Sequence, residues 1–230
     1  MPYVGGYMLK IYFEGEFLEF NDDDLDYMFV NDGQEAKVYR HGKDALKIYK
    51  KECYRARLNE GVCENLSSID TKRILLPEKL IYDGDCKTFI GYSLPFVYTV
   101  SCSRILDMNI GAFVDEVDIL KADLEVLSDN KVEVNDWHNG NVLYDGKRIF
   151  MGDPGSYVVR SDDYRWCLEN NIEILNEFLK SDIFQLAGLS KTREKNMNIV
   201  FDDYEYLGNQ IRESMNERET VRQYVKRITK

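Results

Sequence analysis

The stretch "NDWHNGNVLYDGKRIFMGDPGSY", from Asn135 to Tyr157, decides how this sequence is interpreted. It contains two short apolar runs, Val142–Tyr144 and Ile149–Met151, separated by polar, turn-forming residues. This order predicts two short strands joined by a tight turn. Because such a turn brings the loops on either side of the strands together, we expect the polar residues of those loops to meet.

Three of these polar residues are Asp136, Asn141 and Asp153. Carboxylate and amide oxygens suit Mg²⁺, which takes one or two carboxylates and completes its coordination with substrate phosphates and water. We therefore expect Asn141 and Asp153 to hold Mg²⁺, and Asp136 to orient an attacking hydroxyl. The alternative is that the same residues form two ordinary polar turns.

Composition limits the possible partners. The chain has 230 residues, 44% of them hydrophobic and 31% charged, which is typical of a soluble globular protein. Its formal net charge of −11 argues against a nucleic-acid partner, because phosphate backbones are bound through clusters of lysine and arginine. The acidic balance favours a cationic partner.

The location is predicted to be cytoplasmic, without a membrane partner. The five cysteines are scattered and form no C-x-x-C pair, which favours reduced thiols over a disulfide framework or a zinc site. The N-terminus lacks the basic and apolar segments of a signal peptide. No apolar run approaches the roughly 20 residues that span a bilayer.

The pattern along the chain predicts an α+β fold. The first half is rich in predicted strands around one main helix, at about 51–66; the strands are a hairpin over Tyr7–Phe20, then Tyr27–Val30, Lys37–Arg40, Ala45–Tyr49, Ile74–Tyr82 and Phe89–Val97. The second half is mostly helical, with helices predicted over Gly111–Asn130, Asp163–Leu179 and from Asp202 to the end.

The motif "D-W-H-N-G-N-V-L" followed by "G-D-P-G" resembles the catalytic and metal-binding loops of the protein-kinase-like superfamily. The resemblance implies a two-lobed fold, with residues 1–97 as the N-terminal lobe and 98–230 as the C-terminal lobe. It also implies that Asp136 is the catalytic aspartate and that Asn141 and Asp153 are the metal ligands.

The same resemblance extends to the nucleotide. Lys47 in "ALKIYK" resembles the strand lysine that pairs with ATP phosphates, and "NDGQEAKVYR" with Gly33 resembles the hairpin that covers them. "LPFV" resembles the hinge, where the Pro95 carbonyl and the Val97 amide would meet adenine. The resemblance also requires a helix carboxylate to hold Lys47, for which Glu60 is the first choice and Glu64 the alternative, although neither lies on the predicted apolar stripe.

Several departures mark a small, atypical member. The phosphate hairpin keeps only one glycine, Pro154 replaces the phenylalanine of D-F-G, and no A-P-E motif follows the short segment after Gly155. His138 lies where protein kinases carry a phosphate-binding lysine, so that "D-x-H-x-G-N" is similar to the aminoglycoside- and choline-kinase branch. His138 is expected either to contact phosphate or to form an orienting hydrogen bond within the loop.

The resemblance thus implies a phosphotransferase that uses ATP and Mg²⁺, with ATP bound in a cleft between the two lobes and Lys47, Asp136 and His138 as its catalytic residues. The first-choice acceptor is a serine or threonine hydroxyl of a protein, which includes the chain itself. A small-molecule hydroxyl is the runner-up. A non-catalytic nucleotide-binding protein and a nucleotidyl transferase on the same fold are the remaining alternatives.

Overall fold

The computed structural model describes residues 8–21, 29–32, 35–50, 59–160, 164–184, 186–187 and 206–228. The fold is α+β, as predicted, and the chain divides into two compact units. One unit consists of Met1–Asp70 and Leu76–Phe96, and the other consists of Thr71–Leu75 and Val97–Lys230.

The first unit contains a seven-stranded antiparallel sheet, with the strand order β2-β1-β6-β7-β5-β4-β3. Its strands are β1 (Met8–Phe13), β2 (Glu16–Asn21), β3 (Phe29–Asp32), β4 (Ala36–His41), β5 (Asp44–Tyr49), β6 (Lys79–Asp83) and β7 (Phe89–Pro95). Apolar side chains pack on one face of this sheet and form a buried core of Ile11, Phe13, Phe20, Tyr39, Leu46, Ile48, Ile81 and Ile90.

The predicted N-terminal hairpin is confirmed. β1 pairs with β2 in register from Met8↔Asn21 to Phe13↔Glu16, and the two turn residues, Glu14 and Gly15, both have positive φ. Positive φ at both central positions is the property of a type I′ turn, whose twist matches that of the flanking strands. A short sequence signal therefore sets the register of this edge of the sheet.

The structure describes the second half of the predicted first helix, and β6 is shorter than predicted. Helix α1 (Glu60–Ser67) begins after Asn59, whose side chain accepts a hydrogen bond from the Val62 amide, while residues 51–58 lie outside the described part. The strand predicted from Ile74 begins only at Lys79. Ile74 belongs to the second unit and forms a parallel bridge with Met151 there. Pro77, which cannot donate to a strand ladder, lies between this bridge and β6.

The second unit is arranged along helix α2 (Ile110–Asp129), which confirms the predicted helix. Asn109 caps its first turn, accepting hydrogen bonds from the Gly111 and Ala112 amides. The positions predicted to form its apolar stripe are all buried: Val114, Val117, Leu120, Leu124 and Leu127. Between α2 and the later helices lie β8 (Val132–Glu133), β9 (Val142–Tyr144), β10 (Ile149–Met151) and β11 (Val158–Val159).

The helical character predicted for the C-terminal part is confirmed where the structure describes it. After α3 (Tyr164–Glu177) and a π-helical segment (Phe178–Phe184), the described chain resumes with α4 (Leu207–Ser214) and α5 (Val221–Ile228). A turn separates α4 from α5, where the Asn216 side chain accepts from the Arg218 amide and Glu219 accepts from the Asn216 amide. Such local side-chain bonds compete with the helical ladder and end it. Among the described helices, none combines the length and the apolar character that crossing a membrane requires.

Candidate functional site

The two predicted strands at the centre of the motif are confirmed as β9 and β10. They pair antiparallel from Tyr144↔Ile149 to Val142↔Met151. The ladder continues one step further, because the Gly152 amide donates to the Asn141 carbonyl at 2.8 Å. Asn141 therefore lies beside Gly152, and Asp153 is the next residue, so the loops that carry the predicted metal ligands start from adjacent backbone positions.

A second set of contacts joins the loops at their other ends. Asn135 donates from Nδ2 to the Ser156 carbonyl at 3.2 Å, and Ser156 Oγ donates to the Asn135 carbonyl at 2.9 Å. Next to this pair, Trp137 Nε1 donates to the Tyr157 hydroxyl at 3.0 Å. Trp137 is buried and packs edge-to-face on Phe178, so its role is packing. The loops before β9 and after β10 thus form one hydrogen-bonded framework.

Asp136 and Asp153 share an uncommon backbone conformation. Their φ angles are +59° and +57°, in the left-handed region. The other non-glycine residues with positive φ in the described ranges, Glu14, Cys86 and Lys131, lie in turns between regular elements. Left-handed residues outside such turns are maintained by the surrounding structure and concentrate at functional sites. The backbone at both predicted carboxylates therefore adopts a conformation that is uncommon for residues other than glycine.

His138 contacts the candidate catalytic aspartate. Its Nδ1 accepts a hydrogen bond from the Gly140 amide at 3.0 Å, which leaves Nε2 as the protonated nitrogen in the neutral ring. Nε2 lies 3.7 Å from Asp136 Oδ1. Gly140 is required for this arrangement, since a Cβ there would lie 2.7 Å from His138 Cε1. At 3.7 Å, Nε2 and Asp136 Oδ1 are close enough to interact electrostatically but are not hydrogen-bonded, so both predicted roles of His138 stay predictions.

Asn141 is oriented by the same loop. Its Nδ2 donates to the Asp136 carbonyl at 2.9 Å, so its Oδ1 is the remaining ligand atom, and it has no hydrogen bond to any described residue. Asp153 accepts from the Gly155 amide at 3.2 Å. Within the described ranges, no group of three or more His, Cys, Asp or Glu side chains is placed to hold a metal. Amide and carboxylate oxygens are ligand types that Mg²⁺ takes, and the use of Asn141 and Asp153 as its ligands stays a prediction.

Two positioning residues were missed from the sequence. Asn171 is fully buried on α3; its Oδ1 accepts from the Val134 amide, and its Nδ2 donates to Ser128 Oγ and the Val132 carbonyl. Asp182 accepts from the Asn139 amide at 2.9 Å. A polar residue in the buried row between Cys167 and Leu175 was the available signal for Asn171, whereas Asp182 had none.

In the first unit, Lys47 is buried in β5, with 7% of its surface exposed, and its Nζ lies 5.9 Å from the centroid of the Tyr92 ring. Lys47 pairs with Tyr92 on β7, and the neighbouring Gly91 lies so close that a Cβ would be 2.1 Å from the Lys47 carbonyl oxygen. A buried lysine in the middle of a sheet is uncommon, because desolvation of an ammonium group is costly.

The charges around Cys63 place both candidate glutamates close to Lys47. Burial, reinforced by the negative charges of Glu60 and then Glu64, raises the pKa of the Cys63 thiol to about 12, while the charge of Lys47 opposes this shift. The buried face of α1 contains Cys63 and Leu66. Glu60 precedes Cys63 by one turn and is half-buried.

Glu60 also has a defined partner, since it accepts a hydrogen bond from the Tyr82 hydroxyl at 2.6 Å, whereas Glu64 is exposed. For the other residues predicted to contact the nucleotide, the structure shows at most their position in the chain. Pro95 is the last residue of β7, opposite Asp44, and Val97 lies beyond the strand, so the predicted strand end at Val97 was too long. Gly33 lies outside the described residues. The adenine and phosphate contacts of these residues stay predictions.

Compared with models of known protein families and with curated proteins, the sequence gives no match. Function is therefore inferred from the residues of this chain and their geometry.

Proposed function

We propose that the chain is an ATP- and Mg²⁺-dependent phosphotransferase with a two-lobed, protein-kinase-like architecture. It would transfer the γ-phosphate to a hydroxyl, in the first instance a serine or threonine of a protein. The observation that carries the proposal is the backbone conformation of Asp136 and Asp153. Two aspartates with a left-handed backbone, on loops joined through Asn141 and Ser156, suit a function that depends on a fixed loop geometry.

Each residue has a role that follows from its contacts. Asp136 is 66% exposed, so it is accessible to a substrate hydroxyl, and His138 Nε2, 3.7 Å from Asp136 Oδ1, would help to orient its carboxylate. Asn141 Oδ1 and Asp153 would hold Mg²⁺, which when bound neutralises charge on phosphate oxygens. Lys47 is assigned to the α- and β-phosphates, and Glu60 is assigned to fix its ammonium group. This chemistry rests on positioning and electrostatic stabilisation.

A protein acceptor is supported by the surface that follows the metal-binding loop. Val158 and Val159 are 40% and 37% exposed, and Tyr164 and Trp166 are 40% and 39% exposed. β11 pairs with β8, whose chain leads into Asp136. Exposed apolar side chains that follow one another closely along the chain suit a surface that contacts a macromolecule.

A small-molecule acceptor is the second candidate, and the segment after Gly155 favours it. Between β10 and residue 160, the regular structure consists of a short 3₁₀ turn (Pro154–Ser156) and the two residues of β11. β11 is itself paired with β8. A segment of this length leaves little backbone on which to lay a peptide. The motif D-x-H-x-G-N agrees with this alternative.

Purified protein with γ-labelled ATP and Mg²⁺ tests the proposal. We expect labelling of the chain itself or of a generic basic protein, and loss of the label in Asp136→Ala. Loss of a positioned base lowers turnover by about 100- to 10,000-fold, while thermal stabilisation by Mg·ATP should persist in that variant. ATP consumption driven only by aminoglycosides, choline analogues or sugars would establish the second candidate.

Transfer of an α-label would instead indicate nucleotidyl transfer. Mg·ATP binding without any transfer would indicate a non-catalytic nucleotide-binding protein. If millimolar Mg·ATP gives no thermal stabilisation, the kinase-like proposal fails altogether.

A further inference from the structure

A cavity of about 470 Å³ opens on the second unit, in a region to which the proposed phosphotransfer assigns no role. Its walls come from the segment Val100–Asp107, the start of α2 and the turn between β9 and β10. The volume lies in the range of small-molecule pockets.

The positive charges at this cavity are not neutralised by the described part of the chain. Arg104 and Lys147 line it, and neither forms an ion pair with a described residue. The nearby carboxylates are already engaged: Asp145 binds Arg148 at 2.7 Å, and Asp107, which also lines the cavity, lies 3.4 Å from Arg222. In a chain with a net charge of −11, a concave surface lined by two cations and a single carboxylate favours an anion.

Tyr144 supplies a third, independent observation. It lines the cavity with only 5% of its surface exposed, and its hydroxyl has no hydrogen bond to any described residue. Burial, and after it the charge of Asp145, raises the pKa of this phenol, while Arg104 acts in the opposite direction. The guanidinium is therefore within electrostatic reach of the Tyr144 hydroxyl. Although the ring is buried, the hydroxyl oxygen itself keeps some contact with solvent, so it is available to hydrogen-bond a ligand in the cavity.

The walls are fixed in place. The Val100 amide donates to the Tyr144 carbonyl at 2.7 Å, and the Asp145 side chain accepts from the Lys147 amide at 2.9 Å. The α2 amides at the cavity are already capped by Asn109, so they are not available to a ligand. Apolar surface comes from Val100 and Met108. The cavity thus combines a preformed shape, an apolar wall and two cations.

We propose that this cavity binds a small organic anion that has a carboxylate or phosphate group on an apolar body. Arg104 and Lys147 would receive the anionic group, Tyr144 would donate its hydroxyl to the ligand, and Val100 and Met108 would contact the apolar part. The proposal does not depend on the phosphotransferase activity.

Phenyl phosphate, benzoate and benzyl alcohol are suitable probes, titrated into isotope-labelled full-length protein and followed through its amide NMR signals. We expect phenyl phosphate, benzoate or both to shift the signals of Ala112, Gly146 and Lys147. Neutral benzyl alcohol should bind at least about tenfold more weakly, because one charge-assisted hydrogen bond corresponds to roughly that factor. The two anions distinguish a phosphate site from a carboxylate site.

Arg104→Gln should weaken anion binding by about tenfold, and Tyr144→Phe should weaken it while keeping the ring. The matched control is Arg218→Gln, an exposed arginine at a separate surface hollow. It should leave affinity unchanged, and equal melting temperatures would show that all variants fold. Equal binding of the neutral probe, an unaffected Arg104→Gln variant, or binding only of acidic peptides would each overturn the proposal.

Discussion

The side chain of Asn141 donates a hydrogen bond to the backbone carbonyl of Asp136, with an N–O distance of 2.9 Å. The candidate metal ligand and the candidate base are therefore parts of one loop geometry. The donated bond fixes which atom of the Asn141 amide is left to act as a ligand. A change at Asn141 should consequently affect both metal use and the direction of Asp136.

Asn141→Ala tests this coupling. Removing both the ligand oxygen and the loop hydrogen bond should raise the Mg²⁺ concentration for half-maximal turnover by about tenfold or more, and should also lower turnover at saturating Mg²⁺. Steady-state kinetics over a Mg²⁺ series provide the measurement. Asn139→Ala is the control, because only the backbone amide of Asn139 is used, by Asp182. Identical Mg²⁺ curves for wild type and Asn141→Ala would remove Asn141 from the site.

Gly140→Ala tests whether His138 orients Asp136. The added Cβ would lie 2.7 Å from His138 Cε1 and 2.9 Å from Nδ1, so the ring must move away from Asp136. We expect turnover to fall by about tenfold or more, as for loss of a supporting contact in the surroundings of a ligand, with little change in melting temperature. Gly61→Ala is the matched control: its Cβ meets only Asn59 Oδ1 at 3.6 Å, so activity should be retained.

The parts of this structure that were predicted correctly are those with a local signal. The β9–β10 hairpin, the Glu14-Gly15 turn and the apolar stripe of α2 follow from spacing over a few residues, and all are present. The contacts that hold the site together are long-range. Asn171 bonds to Val134, 37 positions away, and Asp182 bonds to Asn139, 43 positions away. No local sequence pattern predicts such contacts.

The close approach of β5 and β7 is another feature that could not be predicted from the sequence. Gly91 lies within an otherwise ordinary strand pattern. Only the structure shows that this position borders the backbone of β5 too closely for a side chain. Gly91→Ala would place a Cβ 2.1 Å from the Lys47 carbonyl oxygen, which must force the strands apart. We expect a loss of about 2–3 kcal/mol in unfolding free energy.

Urea denaturation measures the Gly91→Ala effect. Gly84→Ala is its control, because that Cβ would meet only the flexible side chain of Lys10, at 3.2 Å. A Gly91→Ala protein as stable as wild type would show that the strands adjust more easily than their spacing indicates.

Acid should weaken the C-terminal helices through Glu219. Its carboxylate binds Arg227, with distances of 2.6 and 3.1 Å, and this bond holds the pKa of Glu219 below its usual value. A depressed folded-state pKa contributes stability that is present above the ordinary glutamate pKa of about 4.3 and is lost as pH falls through the folded value.

Glu219→Gln should therefore cost about 2 kcal/mol at pH 7, and the difference from wild type should shrink as the pH falls below about 4. Urea midpoints measured between pH 7 and 3 provide the test. Glu213→Gln, at an exposed glutamate of α4, should show a small and pH-independent difference. A Glu219→Gln effect that stays constant down to pH 3 would contradict the assigned ion pair.

The choice between Glu60 and Glu64 as the partner of Lys47 can be decided by substitution. Glu60 is half-buried and fixed by the Tyr82 hydroxyl at 2.6 Å, whereas Glu64 is exposed and lies farther along the same helix. A fixed carboxylate in a partly desolvated position orients an ammonium group better than a mobile, solvated one.

If Lys47 contacts nucleotide phosphates, Glu60→Gln should weaken Mg·ATP binding by about tenfold, and Glu64→Gln should change it less than about twofold. Tyr82→Phe should give an intermediate loss, because it leaves the carboxylate in place but removes the bond that orients it. Calorimetric titration of the three variants provides the comparison, with melting temperatures to confirm folding. Equal losses for Glu60→Gln and Glu64→Gln would show that the two charges act only through the general field around Lys47, and a larger loss for Glu64→Gln would reverse the assignment.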